Sequence, residues 1–297
     1  MTPDVAIIIP TKDRPPELKK CIDRLLPQIP SGDSWGVIVI DDGVTPPDLP
    51  NSVTWMRGPR RGPGANRNLA ALRAEAEWLI FVDDDCLPVP GFLEAYRSAM
   101  AAAGPGARVV LVGQTIRGEG PHDSLMWESP LWTGFGHNPP SCNFAIPRAL
   151  MKESGGFDER FRGTFEDMEF FSRIRLEGAD FQFVPTALVM HPMRKIPSAT
   201  KLAERWHPRV LSTHDLGASA LDTLRLLPRH VAAVIVSRFR QPDAKRDRIP
   251  AAFRFIGEYL FFILQLPGWI RTIKKTPRSE FWCQVVADGK APRRFGL

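Results

Sequence analysis

Trp78-Leu79-Ile80-Phe81-Val82-Asp83-Asp84-Asp85 is the stretch on which the fold of this chain turns. Five unbroken apolar residues predict a buried strand, and the strand ends in three adjacent carboxylates. Neighbouring carboxylates repel one another, so the cluster favours a bound cation. A hard ion such as Mg²⁺ takes few protein carboxylates and fills its other positions with phosphate oxygens and water. The cluster therefore suits a metal–diphosphate complex. An Asp-rich turn or helix cap is the plain structural alternative.

The same design recurs upstream. Val5–Pro10 is a short β-branched run, and Val37–Ile40 is a second that ends in Asp41-Asp42-Gly43. Between them Pro15–Leu26 places Leu18, Ile22, Leu25 and Leu26 on one helical face, and Ala65–Ala76 reads as a helix leading into the Trp78 strand. This alternation predicts an α/β fold, a mostly parallel central sheet flanked by crossover helices. Ligands of such sheets bind beyond the carboxyl ends of the strands, where both acidic clusters fall. Farther along, Val109–Val112 is strand-like, and a loop rich in Trp127, Trp132, Phe135, Pro139 and Pro140 follows it. Phe165–Glu177 is predicted as a helix opening on Glu166 and Asp167.

Composition bounds the class. In 297 residues, 43% hydrophobic and 24% charged, the chain has the make-up of a folded protein and not of a disordered one. Cys21, Cys86, Cys142 and Cys283 show no close pair and no metal-ligand spacing, which predicts free thiols in a reducing compartment. The N-terminus enters a strand without a basic or long apolar leader, so a cytoplasmic location is expected.

The net charge of +6 is unevenly spread. Residues 1–195 carry 21 Lys/Arg against 25 Asp/Glu, a balance of −4, while residues 196–297 carry 18 against 8, a balance of +10. The texture also changes near Pro197, to helices with aromatic and basic residues. We therefore expect a catalytic domain over 1–196 and a basic helical extension over 197–297, an acceptor, membrane or dimer surface. No stretch reaches the ~20 apolar residues of a transmembrane helix, since Arg254 and Glu258 interrupt Ala251–Leu266. With Trp269, Ile270, Arg271, Lys274 and Lys275 behind it, that segment has the composition of an interfacial helix for peripheral membrane contact. Leu216–Arg240, broken at Pro228, is a second candidate. The alternative is that both pack on the catalytic domain or form a homodimer.

Ile7-Ile8-Ile9-Pro10-Thr11-Lys12-Asp13-Arg14, Val37-Ile38-Val39-Ile40-Asp41-Asp42-Gly43 and Phe81-Val82-Asp83-Asp84-Asp85 together resemble the family 2 glycosyltransferases of the GT-A (Rossmann-like) fold. Gly62-Pro63-Gly64-Ala65-Asn66-Arg67-Asn68 is similar to that family's donor-binding helix start, and Gly155-Gly156-Phe157-Asp158-Glu159 with Glu166-Asp167 to its acceptor-side motif. The resemblance covers roughly residues 4–195 and implies inverting, metal-dependent transfer of a sugar from a nucleoside-diphosphate donor to a hydroxyl. The acceptor would be a glycan, a lipid-linked molecule or a small molecule, and no nucleic acid is expected as a partner. On this resemblance Pro10, Thr11 and Asp13 border the nucleoside pocket with Arg14 nearby. Asp42 hydrogen-bonds the base with support from Asp41, and Arg67 reaches the donor. Asp85 binds Mn²⁺ or Mg²⁺, Asp83 contacts ribose or sugar or shares the metal, and Asp84 shares either task. His191 is the third metal ligand; a surface or core-edge histidine is the alternative. Asp167 is the base and Glu166 orients it or lines the acceptor site, although both are also acids that a helix start favours. Asn143 and Trp132 fall on the acceptor side, with core packing as the alternative for the tryptophan.

The Gln-x-x-Arg-Trp motif of processive relatives is represented only by Leu202-Ala203-Glu204-Arg205-Trp206, without the Gln, which favours single transfer. Walker and Gly-x-Gly-x-x-Gly loops are absent, which argues against kinases and dehydrogenases. A nucleotidyltransferase lacks its Gly-rich basic loop here. A catalytically inactive binding or scaffold module is the alternative from another class.

Overall fold

A computed structural model describes residues 5–32, 34–134, 139–162, 164–217 and 246–288. Strand β1 (Val5–Thr11) is buried at every position because it lies between two parallel neighbours, β2 (Trp35–Asp41) and β4 (Trp78–Val82). Beyond β2 lies β3 (Val53–Arg57), also parallel. The other strands of this sheet are β5 (Leu87–Pro88), β6 (Val109–Arg117), β8 (Asn143–Pro147) and β9 (Asp180–His191), and the order is β3-β2-β1-β4-β8-β6-β9-β5. The predicted α/β sheet thus forms, parallel through its first half. β8 runs antiparallel between β4 and β6.

Successive side chains of a strand face opposite sides, and β1 divides the core accordingly. Val5, Ile7 and Ile9 pack with Leu18, Ile22 and Leu25 of α1 (Pro15–Leu25) and with Phe92 and Tyr96 of α3 (Phe92–Ala103). Ala6 and Ile8 pack with Ala70 and Ala71 of α2 (Pro63–Arg73), Leu150 of α4 (Arg148–Glu153) and Phe170, Phe171 and Ile174 of α5 (Glu166–Leu176). Helix α2 starts before the expected Ala65 because Pro63, with no N–H to lose, opens its first turn. It stops at Arg73, since Ala74 is extended to feed β4. The expected Val109–Val112 strand continues to Arg117, past an irregularity between Gly113 and Gln114.

The chain divides into two compact units, one of 1–119 and 129–192, the other of 120–128 and 193–297. The second unit holds the short pair β7 (Trp127–Glu128) and β10 (Arg194–Lys195), with α6 (Ala199–Glu204), α7 (His207–Asp215), α8 (Arg248–Ile273) and α9 (Glu280–Ala287). Its core joins Leu125, Met126, Ile196 and Leu202 to Ala251 and Phe255 of α8.

The structure corrects the expectation that Arg254 and Glu258 break the apolar run. α8 is one helix of 26 residues, long and apolar enough to cross a membrane by length and composition alone. Both charges are absorbed inside the unit: Arg254 donates to the Pro197 carbonyl at 3.0 Å, and Glu258 accepts the Trp206 indole N–H at 2.8 Å. The Leu216–Arg240 candidate lies almost wholly outside the described residues, as does Phe135 of the aromatic loop.

Candidate active site

Parallel pairing brings the carboxyl ends of β2, β1 and β4 to one edge of the sheet, with Thr11 opposite Asp41. Both acidic clusters therefore belong to one site in the first unit. Within it the three aspartates after β4 have different surroundings. The Thr11 hydroxyl donates to Asp84 at 2.7 Å, and the Arg14 guanidinium donates to the same carboxylate at 3.2 Å. Asp84 thus ties the end of β4 to the end of β1 and the loop after it. Arg14 also stands 3.6 Å from Asp85.

Asp85 faces His191, whose Nε2 is 3.5 Å from its Oδ1. The other ring nitrogen, Nδ1, lies 2.9 Å from the Pro192 carbonyl, which only accepts, so Nδ1 carries the proton. The Nε2 lone pair is thereby turned toward Asp85, the tautomer a metal ligand needs. Burial holds the imidazole below its usual range and keeps it neutral. The Cys86 thiol lies within 4.8 Å of both ligand atoms. A hydrogen bond with Cys142, and then burial, push that thiol well above its usual range, so it stays protonated and is a poor ligand. One carboxylate and one imidazole, without thiolate, fit a hard or borderline ion such as Mg²⁺ or Mn²⁺.

Asp83 turns the other way. Its Oδ1 accepts Arg67 Nη2 at 2.6 Å, and Arg67 Nη1 stands 3.6 Å from Glu166 Oε1. Arg67 is buried on α2, with its guanidinium over the Phe157 ring. Instead of reaching out to a donor, it links the end of β4 to the start of α5. The residue before that helix, Phe165, adopts a left-handed φ of 73°, unusual for a bulky side chain and a cost the fold carries where α5 begins. Asp167 accepts the Met168 N–H at 2.8 Å. Burial, and then the charge of Asp167, raise Glu166 to about 7 against the pull of Arg67. Asp167 is raised too, first by burial. One buried and one half-buried carboxyl, both raised, at a helix start are an arrangement from which proton acceptors are made.

Several sequence expectations change. Asp42 is committed to backbone, accepting Arg60 N–H at 2.7 Å and Gly62 N–H at 3.3 Å, and Asp41 accepts Gly43 N–H at 2.6 Å with Arg57 at 3.8 Å. Both shape the loops at the sheet edge. Gly58 is required there, because a Cβ would collide with the side chains of Asp42 and Asn66. Asp13 accepts Val44 N–H at 2.9 Å, and Pro10 is buried inside β1. Asn143 leaves the acceptor set: its amide donates to Gln114 O at 2.9 Å and Ala187 O at 2.8 Å, and its oxygen accepts the Tyr96 hydroxyl at 2.7 Å. Every polar atom of that side chain is used inside the core. Trp132 is half-buried beside β6 and packs on the α2–α5 side of the sheet, while its indole N–H meets no acceptor among the described residues.

Three contributors escaped the sequence. Ser129 donates to the His191 carbonyl at 2.9 Å and lies 3.3 Å from its Nδ1. Asn68 exchanges hydrogen bonds of 2.8 Å with the backbone of Phe157 and so fixes α2 to the acceptor-side motif. Cys86 adjoins Asp85, the one signal that pointed to its place.

Residues 6–167, more than half of the chain, match the sequence profile described as Glycosyl transferase family 2. The O-antigen biosynthesis protein RfbC of Myxococcus xanthus is 30% identical over 210 residues, 60% of this chain and 16% of that protein. A pre-mycofactocin glycosyltransferase of Mycobacterium tuberculosis is 25% identical over 213 residues, 64% of this chain and 43% of that protein. The match thus takes in less than half of either relative. Among solved structures, GalNAc-T7 with UDP, GalNAc and Mn²⁺ aligns with a TM-score of 0.52 at 18% identity, covering 69% of this chain and 47% of that one. Residues 1–349 of S. aureus TarS align with a TM-score of 0.50 at 18% identity, covering 91% and 83%. The fold is GT-A.

Proposed function

This chain belongs to glycosyl transferase family 2, and from that membership we propose that it transfers single sugars from a nucleoside-diphosphate donor to an acceptor hydroxyl, inverting the anomeric carbon with the aid of Mn²⁺ or Mg²⁺. The observation that carries the proposal is one guanidinium. Arg67 donates to Asp83 at 2.6 Å and stands 3.6 Å from Glu166, so the strand-end carboxylates and the α5 carboxylates face each other across a single side chain.

In this mechanism Asp85 and His191 would hold the ion, with Asp83 assigned to the ribose or sugar. An ion held there would offset the negative charge that builds on the departing diphosphate. Asp167 takes the proton of the acceptor hydroxyl as that oxygen bonds to the anomeric carbon. On the opposite face the bond from that carbon to the diphosphate oxygen breaks, and its electron pair leaves with the nucleoside diphosphate. Attack opposite the leaving group inverts the centre. Burial raises Asp167 and so makes its carboxylate a stronger base than a solvated one. Glu166 and Arg67 hold that base in register with the donor.

The missing Gln before Arg205-Trp206 supports single transfer over processive synthesis. The names of the curated relatives, an O-antigen biosynthesis protein and a pre-mycofactocin glycosyltransferase, favour an acceptor in glycan or small-molecule biosynthesis. Trp132, with its unmet indole N–H, stays on the acceptor side of the proposal.

Calorimetry with UDP, GDP and dTDP, with and without Mn²⁺, and hydrolysis of the matching donor sugars test the proposal. One diphosphate is expected to bind only with metal. Asp167→Asn is expected to bind it equally and to turn over about 10²–10⁴-fold more slowly. Unchanged turnover removes Asp167 as the base. Loss of both metal-dependent binding and turnover in the native chain makes it a glycosyltransferase-like scaffold.

A further inference from the structure

Helix α8 has two unlike faces. Ala251, Phe255, Phe262 and Leu266 are buried in the second unit, and Glu258, the only acid of the helix, is bound to Trp206. The opposite face exposes Ile249, Phe253, Ile256, Leu260, Ile263 and Leu264, at 72%, 73%, 53%, 58%, 51% and 74%. Positions 249, 253, 256, 260 and 263 follow the alternating four–three spacing of a single stripe on a helix, so these side chains form one continuous apolar ridge. Scattered exposed apolar residues need no explanation, but a ridge of this length does. Basic residues stand at both of its ends: exposed Arg248 at the start, exposed Arg271, Lys274, Lys275 and Arg278 at the finish.

We propose that this face of α8 docks in the plane of an anionic phospholipid bilayer. The ridge would enter the boundary between headgroups and acyl chains, with the terminal cations among the phosphates. The charge pattern selects this occupant over a second copy of the chain. Two ridges packed parallel set Lys274 and Lys275 against their own copies, and packed antiparallel they set them against Arg248, beside which Asp247 already accepts the Ser124 hydroxyl. The exposed face of α8 offers no acid to relieve either arrangement. An anionic membrane complements both ends at once. Burial of Phe255, Phe262 and Leu266 against the unit's own residues also favours a helix lying in the surface over one surrounded by lipid. The inference does not depend on the transfer chemistry, since docking needs no donor.

Co-sedimentation of the full chain with vesicles tests it, using phosphatidylcholine alone and phosphatidylcholine with about a third phosphatidylglycerol. Binding is expected only to the anionic vesicles and is expected to weaken with salt. The double variant Phe253→Glu/Leu264→Glu is expected to abolish it. Lys274→Ala/Lys275→Ala is expected to weaken it about 25-fold, from roughly fivefold per cation at the surface. Unchanged thermal unfolding and nucleotide binding show that the variants are folded. Failure to bind anionic vesicles, or binding indifferent to the Phe253 and Leu264 changes, overturns the proposal. A vesicle-free dimer that Phe253→Glu dissociates overturns it as well and assigns the ridge to a second copy.

Discussion

At the end of β4 each carboxylate has a cation or a donor beside it: Thr11 and Arg14 at Asp84, Arg14 at Asp85, Arg67 at Asp83. At the start of α5, Glu166 and Asp167 share the field of Arg67, Asp167 also accepts the Met168 N–H, and burial is the largest influence on both. Matched chemistry, carboxylate in both places, is thereby set to different tasks. Cations stand beside the first group, as the proposed binding of a metal and a diphosphate would need. Dehydration raises the second toward neutral pH, as moving a proton requires. Among the described residues, Arg67 is the side chain that pairs with both.

The largest effect that would break this contrast is expected from Arg67→Met. It leaves Glu166 buried and Asp83 partly buried without their cation, a loss of about 2–4 kcal/mol, somewhat below that of a fully buried pair because Asp83 keeps some water. Thermal unfolding should register it together with a drop in kcat/KM. Arg67→Lys keeps the charge but not the fork that spans both carboxylates, and should recover only part of each. A Met variant as stable as the parent would show that the two edges are not coupled.

Next in size is the pH response. Glu166 is raised from an unfolded value of 4.5 to about 7, so between these values the native chain keeps a proton that the unfolded chain has lost. That contribution, of order 1–3 kcal/mol, is complete below pH 4.5 and disappears as pH rises through about 7. Glu166→Gln should flatten this fall in denaturant titrations across the same window. In activity the sign reverses, because the base works ionised: kcat/KM should rise through this range, with apparent values that belong to the Glu166–Asp167 pair. Identical stability–pH curves for parent and variant would refute the assignment.

How far these features could be read from the chain depends on whether their cause is local. Val5–Pro10 and Trp78–Val82 announce buried strands because both their faces are covered, and the acids that end them stand out against unbroken apolar runs. β3 escaped notice because Val53–Arg57 is a half-exposed edge strand behind prolines, with no clean alternation. Asn143 misled for another reason. It sits at a motif-like place, but its partners Tyr96, Gln114 and Ala187 are distant in sequence, and the close approach of Gly113, where a Cβ would collide with the Asn143 amide, cannot be seen in the motif. The inward turn of Arg254 and Glu258 was equally hidden, because it depends on Pro197 and Trp206.

Ser129 shows the same limit at the metal side and offers the finest test of the contrast. It is a lone serine in a proline-rich loop, 62 positions before His191, with nothing local to mark it. Its hydroxyl braces the His191 carbonyl at 2.9 Å while Nδ1–H is held by Pro192, so the ring keeps Nε2 toward Asp85. Ser129→Ala removes the brace and leaves both ligands in place. With Asp85 and His191 as the proposed ligands, Mn²⁺ affinity should fall by at most about tenfold. At saturating Mn²⁺, kcat and its pH profile should match the parent, because the α5 carboxyls are untouched. An unchanged Mn²⁺ affinity would mean that Pro192 alone sets the ring. A lower kcat at saturating metal would mean that the two edges do not divide their work as their surroundings imply.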